Sequence, residues 1–355
     1  MKIRMVVTKR KPLPRRIKML LPVAAIAATL VVSAIPITIA GGDLFRSYGA
    51  LFYGAFGTKY NFLETLVKTS PYLFTGLAVA FAFRARFWNI GAEGQLYAGA
   101  IAATWLGLNV GGLPPYAAIP SVILVGMAAG GLWASVPVFL KTKLKVDDVV
   151  SSLLLNYVML NIMGALLFGP LQQPGSGWPR SPEIARSAWF PILIPRSRFH
   201  LGIILAAIAC LVVWFVNSKT VFGYQSKAVG ANIRASSFGG IPVDRVLLFT
   251  ALVSGGLAGL AGVSELCAIQ YRLLLDISPG YGYSGIVIAM LGNLHPVGVL
   301  FSALFFSAVS VGAQTMSRMT GVPSYIAEVV QGTALIVMLV FLLLSEYSVR
   351  WESKK

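Results

Sequence analysis

Three carboxylates lie within or beside apolar stretches of the sequence: Glu93, Glu265 and Glu328. A charged group at the centre of a membrane helix costs about 2.5–3.5 kcal/mol on insertion scales, so its presence asks for a reason. Such carboxylates serve an ion-coupled carrier as a relay, or else cap helices and hydrogen-bond inside a bundle. The run Asn89-Ile-Gly-Ala-Glu-Gly-Gln95 adds two amides to one carboxylate, with Gly91 and Gly94 permitting a bend or a helix start. Broken helices at membrane depth line a cavity, because unpaired backbone groups cannot face lipid. A purely structural hairpin is the equal alternative. Asn156-Tyr157 and Asn161, at helical spacing, offer hydrogen bonds to a polar solute or to a neighbouring helix. Asn89, Glu93, Gln95, Asn156, Tyr157 and Glu265 are therefore the candidate lining of a solute path.

Other chemistries find no footing. No Gly-x-x-x-x-Gly-Lys-Ser/Thr occurs, so this chain does not hydrolyse a nucleotide by the P-loop route. His200 and His295 are remote from one another, and Cys210 and Cys267 both fall in apolar runs without metal or redox spacing. Neither a metal nor another cofactor is expected. An enzyme acting on a lipid-linked substrate would need clustered acids or histidines at the interface. Asp147-Asp148 is the only acidic pair, and helix capping accounts for it.

The elements that position these residues are membrane helices. Hydrophobic residues make up 57% of 355 positions and charged residues 12%, and the mean hydropathy is +0.77, beyond the range of soluble domains. The net charge of +17 sits beside and between apolar runs, which points to topogenic and lipid-contacting cations rather than nucleic acid. The expected fold class is an all-α polytopic membrane protein of about ten transmembrane helices, some short or broken, with both termini cytoplasmic. A basic N-terminus over 1–18 precedes a membrane domain over 19–344 and a tail over 345–355. The first apolar run, Met19 to Ala40, is long enough to cross a bilayer and lacks a clear cleavage site, so it reads as an anchor. Gly41 to Ser70 reads as an outer interfacial segment and Pro71 to Phe83 as a short inward span. Residues 169–200 carry six prolines and read as an external loop, although four arginines within it count against that side.

Between two of the apolar runs lies a polar stretch rich in small residues, Gly223 to Ile241. Lys219, Lys227, Arg234 and Arg245 place it in the cytoplasm by the positive-inside bias. Ala231 to Phe238 has room for two helical turns ending at Gly239-Gly240, with Pro242 just beyond. A short helix there is a surface for another protein to push on.

Phe87-Trp-Asn-Ile-Gly-Ala-Glu-Gly-Gln95, the 223–241 stretch and Leu291-Gly-Asn-Leu-His-Pro-Val-Gly298 together resemble the permease subunit of bacterial ABC importers for nucleosides and simple sugars, within the ribose and branched-chain amino acid permease group. The resemblance runs from about Thr65 to the C-terminus. It implies a multi-pass protein of a bacterial or archaeal plasma membrane that is a transport subunit, not an enzyme. It also implies a cytoplasmic ABC ATPase, a second homologous permease forming a heterodimer, an extracytoplasmic solute-binding protein, and a nucleoside or related small polar solute. In the family the stretch matching 223–241 docks on the ATPase. That role would fall here on Gly223, Lys227, Ala228, Gly230, Asn232, Ala235 and Gly240, while Ser236-Ser237 and Gln225-Ser226-Lys227 depart from the family's usual residues. Simple-sugar and branched-chain amino acid permeases are the alternatives in the same class, and an ion-coupled carrier is the alternative outside it.

Overall fold

The computed structural model describes residues 2–9 and 15–354; Arg10, Lys11 and Lys355 of the basic terminal segments lie outside them. In chain order the elements are β1 (Lys2–Lys9), α1 (Arg15–Ile39), α2 (Leu44–Phe56), α3 (Lys59–Arg84), α4 (Ala92–Asn109), α5 (Pro115–Leu144) and α6 (Asp148–Leu167). Then follow α7 (Leu201–Lys219), α8 (Val221–Ala231), α9 (Ile233–Phe238), α10 (Val243–Glu265), α11 (Tyr281–Leu291), α12 (Pro296–Thr320), α13 (Ile326–Glu346) and β2 (Tyr347–Lys354). Each of the expected apolar runs coincides with a helix, namely α1, α3 to α7 and α10 to α13. Among the described residues, six helices are long and apolar enough to cross a membrane, and the bent pair Val23–Ile39 with Leu44–Phe56 makes up to seven. Tyr281–Leu291 and Ile326–Phe341 are shorter apolar helices, as the expectation of short spans requires.

Two units divide the chain. Met1–Gly54 with Gly312–Lys355 forms one, in which α1 packs along α13 and β1 pairs antiparallel with β2, Lys2 opposite Lys354. That strand pair is an addition to the helical fold that the sequence reading did not foresee. Ala55–Val311 forms the other unit and holds every residue discussed below.

Within this second unit α3 and α10 are central. Burial of their spans reaches 89% and 78%, against 28% for α6 and α7, as expected of helices that are apolar on all sides. Glycines let α10 approach α5 and α4 to backbone contact: a Cβ at Gly130 would lie 2.9 Å from Gly259 Cα, and one at Gly99 would lie 2.5 Å from it. Helix association in lipid relies on such close packing because no hydrophobic force drives it there.

Two boundaries differ from the sequence reading. The span read as Pro71–Phe83 is the 26-residue α3, which starts at Lys59 with the Thr58 side chain accepting from Asn61 N at 3.1 Å. Pro71 sits inside that helix without ending it. The polar stretch after α7 is also helical on both sides of Asn232, as α8 and α9.

Candidate functional site

Chain leaving α3 does not continue into water. From Phe87 to Gly91 it runs irregularly back into the bundle, and α4 starts there at Ala92. The backbone groups this exposes are met by side chains. Trp88 N donates to Asp148 Oδ2 at 2.7 Å, Ile90 N to Ser152 Oγ at 3.1 Å and Gly94 N to Asn156 Oδ1 at 2.8 Å, while Asn156 Nδ2 donates to Ile90 O at 2.9 Å. All three side-chain partners ride on α6. Asp148 is itself neutralised by Lys141 Nζ at 2.7 Å, which also donates to Arg86 O at 3.0 Å. This accounting is what a re-entrant segment demands where water is absent.

Asn89 and Gln95 close on each other through a reciprocal amide pair at 2.9 and 2.8 Å. Asn89 Nδ2 also donates to Ser254 Oγ on α10 at 2.9 Å, and Ser254 Oγ passes a bond to Ala78 O on α3 at 2.7 Å. Asn89, Glu93, Gln95 and Asn156 are buried in this arrangement. Glu93 accepts from Gly282 N, at the start of α11, at 2.6 Å. The structure thus brings Asn89, Glu93, Gln95 and Asn156 together and joins α3, α4, α6, α10 and α11 through them. Tyr157 follows Asn156 on α6 but points the other way and is 56% exposed.

Glu265 belongs to a separate cluster. It faces the Tyr281 hydroxyl, which accepts from Lys68 Nζ at 2.7 Å, and Tyr72 meets the Tyr281 ring edge-on at 4.9 Å. Close by, Arg198 grips Glu64 through Nε and Nη2. Sequence reasoning missed Lys68, Tyr281 and Arg198 because each is remote from the others in the chain.

The 169–200 segment is irregular, as expected, but tied down: Ile184 N donates to Tyr271 O at 2.9 Å and Phe190 N to Cys267 O at 2.8 Å. Its last residue, His200, caps α7 by accepting from Gly202 N on Nδ1 at 3.1 Å. Burial, and then the nearby Arg198, lower its imidazole to about 4, so it is neutral at physiological pH. An unfolded histidine titrates near 6.5 and binds protons that the folded one refuses. Stability is therefore unaffected by this group above 6.5 and falls by about 3 kcal/mol in all as pH drops from there through 4. Thermal melts of wild type should fall across that window, and those of His200→Asn, which keeps a capping side chain that does not titrate, should stay flatter.

On the far side of the bundle from that loop, α8 is clamped to three helix ends. Phe222 stacks on Phe81 of α3 at 5.8 Å and meets Phe249 of α10 edge-on at 4.7 Å. Gly223 is buried against the last turn of α7, where an added Cβ would lie 2.8 Å from Asn217 C. Gly230 abuts the end of α3, where a Cβ would run into Arg84 O. Arg84 Nη2 donates in turn to Asn217 O at 2.9 Å. Asn232 breaks the helix and caps α9, its Oδ1 accepting from Ala235 N at 3.1 Å. Gly240, at φ +79, takes the left-handed turn that closes α9, with Ile241 N on Ser236 O at 3.0 Å.

The residues singled out in this stretch therefore divide in two. Gly223 and Gly230 face the bundle and Ala228 is half-buried, whereas Lys227, Asn232, Ala235 and Gly240 are exposed. Phe238 stands 95% exposed and Tyr224 70%, side chains that the sequence reading passed over. An isolated exposed apolar residue needs no explanation, but a fully presented phenylalanine on a short, well-capped helix is a natural anchor for a partner.

Comparison with known proteins bears on this geometry. A family model described as the permease component of a branched-chain amino acid transport system matches residues 61–339. The guanosine ABC transporter permease protein NupP of Bacillus subtilis is 35% identical over 95% of this chain and 96% of its own. The glucose ABC transporter permease protein TsgB13 of Haloferax volcanii is 32% identical over 99% of this chain and 94% of its own. The nucleoside ABC transporter permease protein NupB of Lactococcus lactis is 32% identical over 88% of each.

Proposed function

This chain belongs to the family of branched-chain amino acid transport system permease components, and from that premise we propose that it imports nucleosides or related small polar solutes. It is the permease subunit of an ABC importer, a multi-pass protein of the plasma membrane that is a transport component and not an enzyme. The nucleoside assignment is supported by NupP and NupB, at 35% and 32% identity. A glucose permease at 32% over nearly the whole chain supports simple sugars as the second reading.

The observation that carries the mechanism is the clamping of α8 to the ends of α3, α7 and α10 while α9 stands free beyond it. In this proposal a cytoplasmic ATPase receives α9, with Phe238, Asn232, Ala235 and Gly240 at the contact and Tyr224 and Lys227 beside it. Gly223, Ala228 and Gly230 hold the lever rather than touch the partner. Closure of the ATPase pushes α9, and the glycine-tight fit of α8 passes the displacement to three spans at once. Packed helices with two discrete arrangements answer such a push by opening to one side or the other. The Asn89–Gln95–Asn156 knot, joining five helices, is then the hub about which they rearrange, and Tyr157 on the open face of α6 lines the path.

A second, similar permease completes that path in the proposal. NupP and NupQ of Bacillus subtilis, and NupB and NupC of Lactococcus lactis, are all similar to this chain, the second of each pair at 28% and 27% identity. Affinity for the solute resides in an extracytoplasmic binding protein, which suits the few charged groups in the spans. The test is uptake into proteoliposomes holding the assembled importer and its binding protein, with labelled guanosine, glucose and leucine offered in turn. Guanosine should accumulate and leucine should not. Uptake of glucose alone would replace the nucleoside reading by the sugar one.

A further inference from the structure

A groove of about 750 Å³ opens between α5, α7 and α10; Phe81 and Phe249, which hold Phe222, form part of its wall, and the rest lies outside the mechanism above. Its walls are apolar throughout, from Ile123, Met127 and Leu132 on α5 through Ile208 and Val212 on α7 to Phe249 and Leu257 on α10. Along the α5–α10 crevice it is followed by a second hollow of about 470 Å³, lined by Phe139, Thr142 and Lys143 of α5 with Asp244, Arg245 and Leu248 of α10. Residues 128, 132, 135 and 139 of α5 and 245, 249, 252 and 256 of α10 succeed one another at helical spacing, so the two hollows share one face.

The mouth of this channel is cationic. Arg245 lies one turn before Phe249, and Lys219 lies one turn beyond Val216, which lines the groove from α7. Lys143 pairs with Asp244 at 4.0 Å, and both side chains are more than 60% exposed. Among the described lining residues, Asp244 against Lys143 and Arg245 leaves a positive excess at that end. From Arg245 to Leu260, the deepest α10 lining residue, the rise is about 22 Å at 1.5 Å per residue, somewhat more than one leaflet's share of a 30 Å hydrocarbon core.

From the apolar groove, its length and its cationic mouth, we infer that the α5–α7–α10 crevice is a binding site for one anionic phospholipid, with the phosphate at Lys143 and Arg245 and the acyl chains along Leu252, Gly256 and Leu257. Charge complementarity selects the occupant. A second copy of the chain would have to insert apolar side chains beneath three cations, whereas an acidic lipid satisfies both halves of the site. Cations at a membrane surface each favour anionic lipid by roughly fivefold, and two together by about 30-fold.

The purified full-length chain in nanodiscs of mixed phosphatidylglycerol and phosphatidylcholine tests this. Native mass spectrometry after detergent release should find one phosphatidylglycerol retained by wild type. Lys143→Gln with Arg245→Gln should lower its preference over phosphatidylcholine by about 30-fold. Ala209→Phe, which fills the groove from α7 and touches neither cation, should remove retention of either lipid. Circular dichroism of each variant separates loss of lipid from loss of fold. Unchanged retention and unchanged headgroup preference in folded variants overturn the inference. So does efficient cross-linking between two chains through Val212→Cys, because the groove would then be covered by protein.

Discussion

Phe238→Ala is expected to abolish solute-stimulated ATP hydrolysis by the assembled importer while leaving the permease folded. The side chain is 95% exposed, so its removal withdraws nothing from the protein's own core. An aromatic anchor seated in a partner's pocket contributes 2 kcal/mol or more, so ATPase docking should weaken about 30-fold or beyond. Gly230 makes the informative contrast. A side chain there collides with Arg84 O at the end of α3, so even Gly230→Ala should displace α8 and lower thermal stability. Loss of coupling with an unchanged melt at Phe238, and a lowered melt at Gly230, would separate the contact surface from its mount. Equal effects on stability at both positions would remove Phe238 from the contact.

Asn156→Leu should cost about 2–6 kcal/mol of stability. The substitution keeps the γ-branched shape but deprives Gly94 N and Ile90 O of their partners. Each unpaired buried backbone group costs about 1–3 kcal/mol. Interhelical hydrogen bonds in membranes average only about 0.6 kcal/mol when side chains can find other partners, but these two backbone groups are fixed in a re-entrant turn and cannot move to new ones. Asn161→Leu is the control. Asn161 Nδ2 bonds to Tyr157 O within its own helix, at 2.7 Å and exposed, so its loss should stay within about 0.5 kcal/mol. Equilibrium unfolding of the two variants in mixed micelles gives the comparison.

Much of this architecture was legible because membrane helices announce themselves by length and apolarity. Each predicted apolar run became a helix. Asn89 to Gln95 was legible as a break for the same reason: two glycines and two amides have no place in a lipid-facing helix. What the sequence did not reveal was where that break finds its hydrogen bonds. Asp148, Ser152 and Asn156 lie about 60 residues further on, and only the fold brings them under the turn. Lys68 and Tyr281 are 213 positions apart and make the same point.

The stretch after α7 was legible only in its second half, where room for two helical turns was evident. Gly223 and Gly230 are helical too, and their missing side chains serve the contact with α7 and α3. Local composition records that a glycine is required but not whether conformation or space requires it. Pro71 poses the converse problem, since a proline reads as a boundary, and α3 carries it within a buried stretch that neighbouring helices hold in place.

The most direct test of the account is the energy source for uptake. Proteoliposomes holding the chain with its ATPase, its second permease and its binding protein should accumulate labelled guanosine only when ATP reaches the ATPase, and Phe238→Ala should bring accumulation to background. Accumulation by this chain alone, on a proton or sodium gradient without ATP, would contradict the account and make Glu93 and Glu265 the coupling groups.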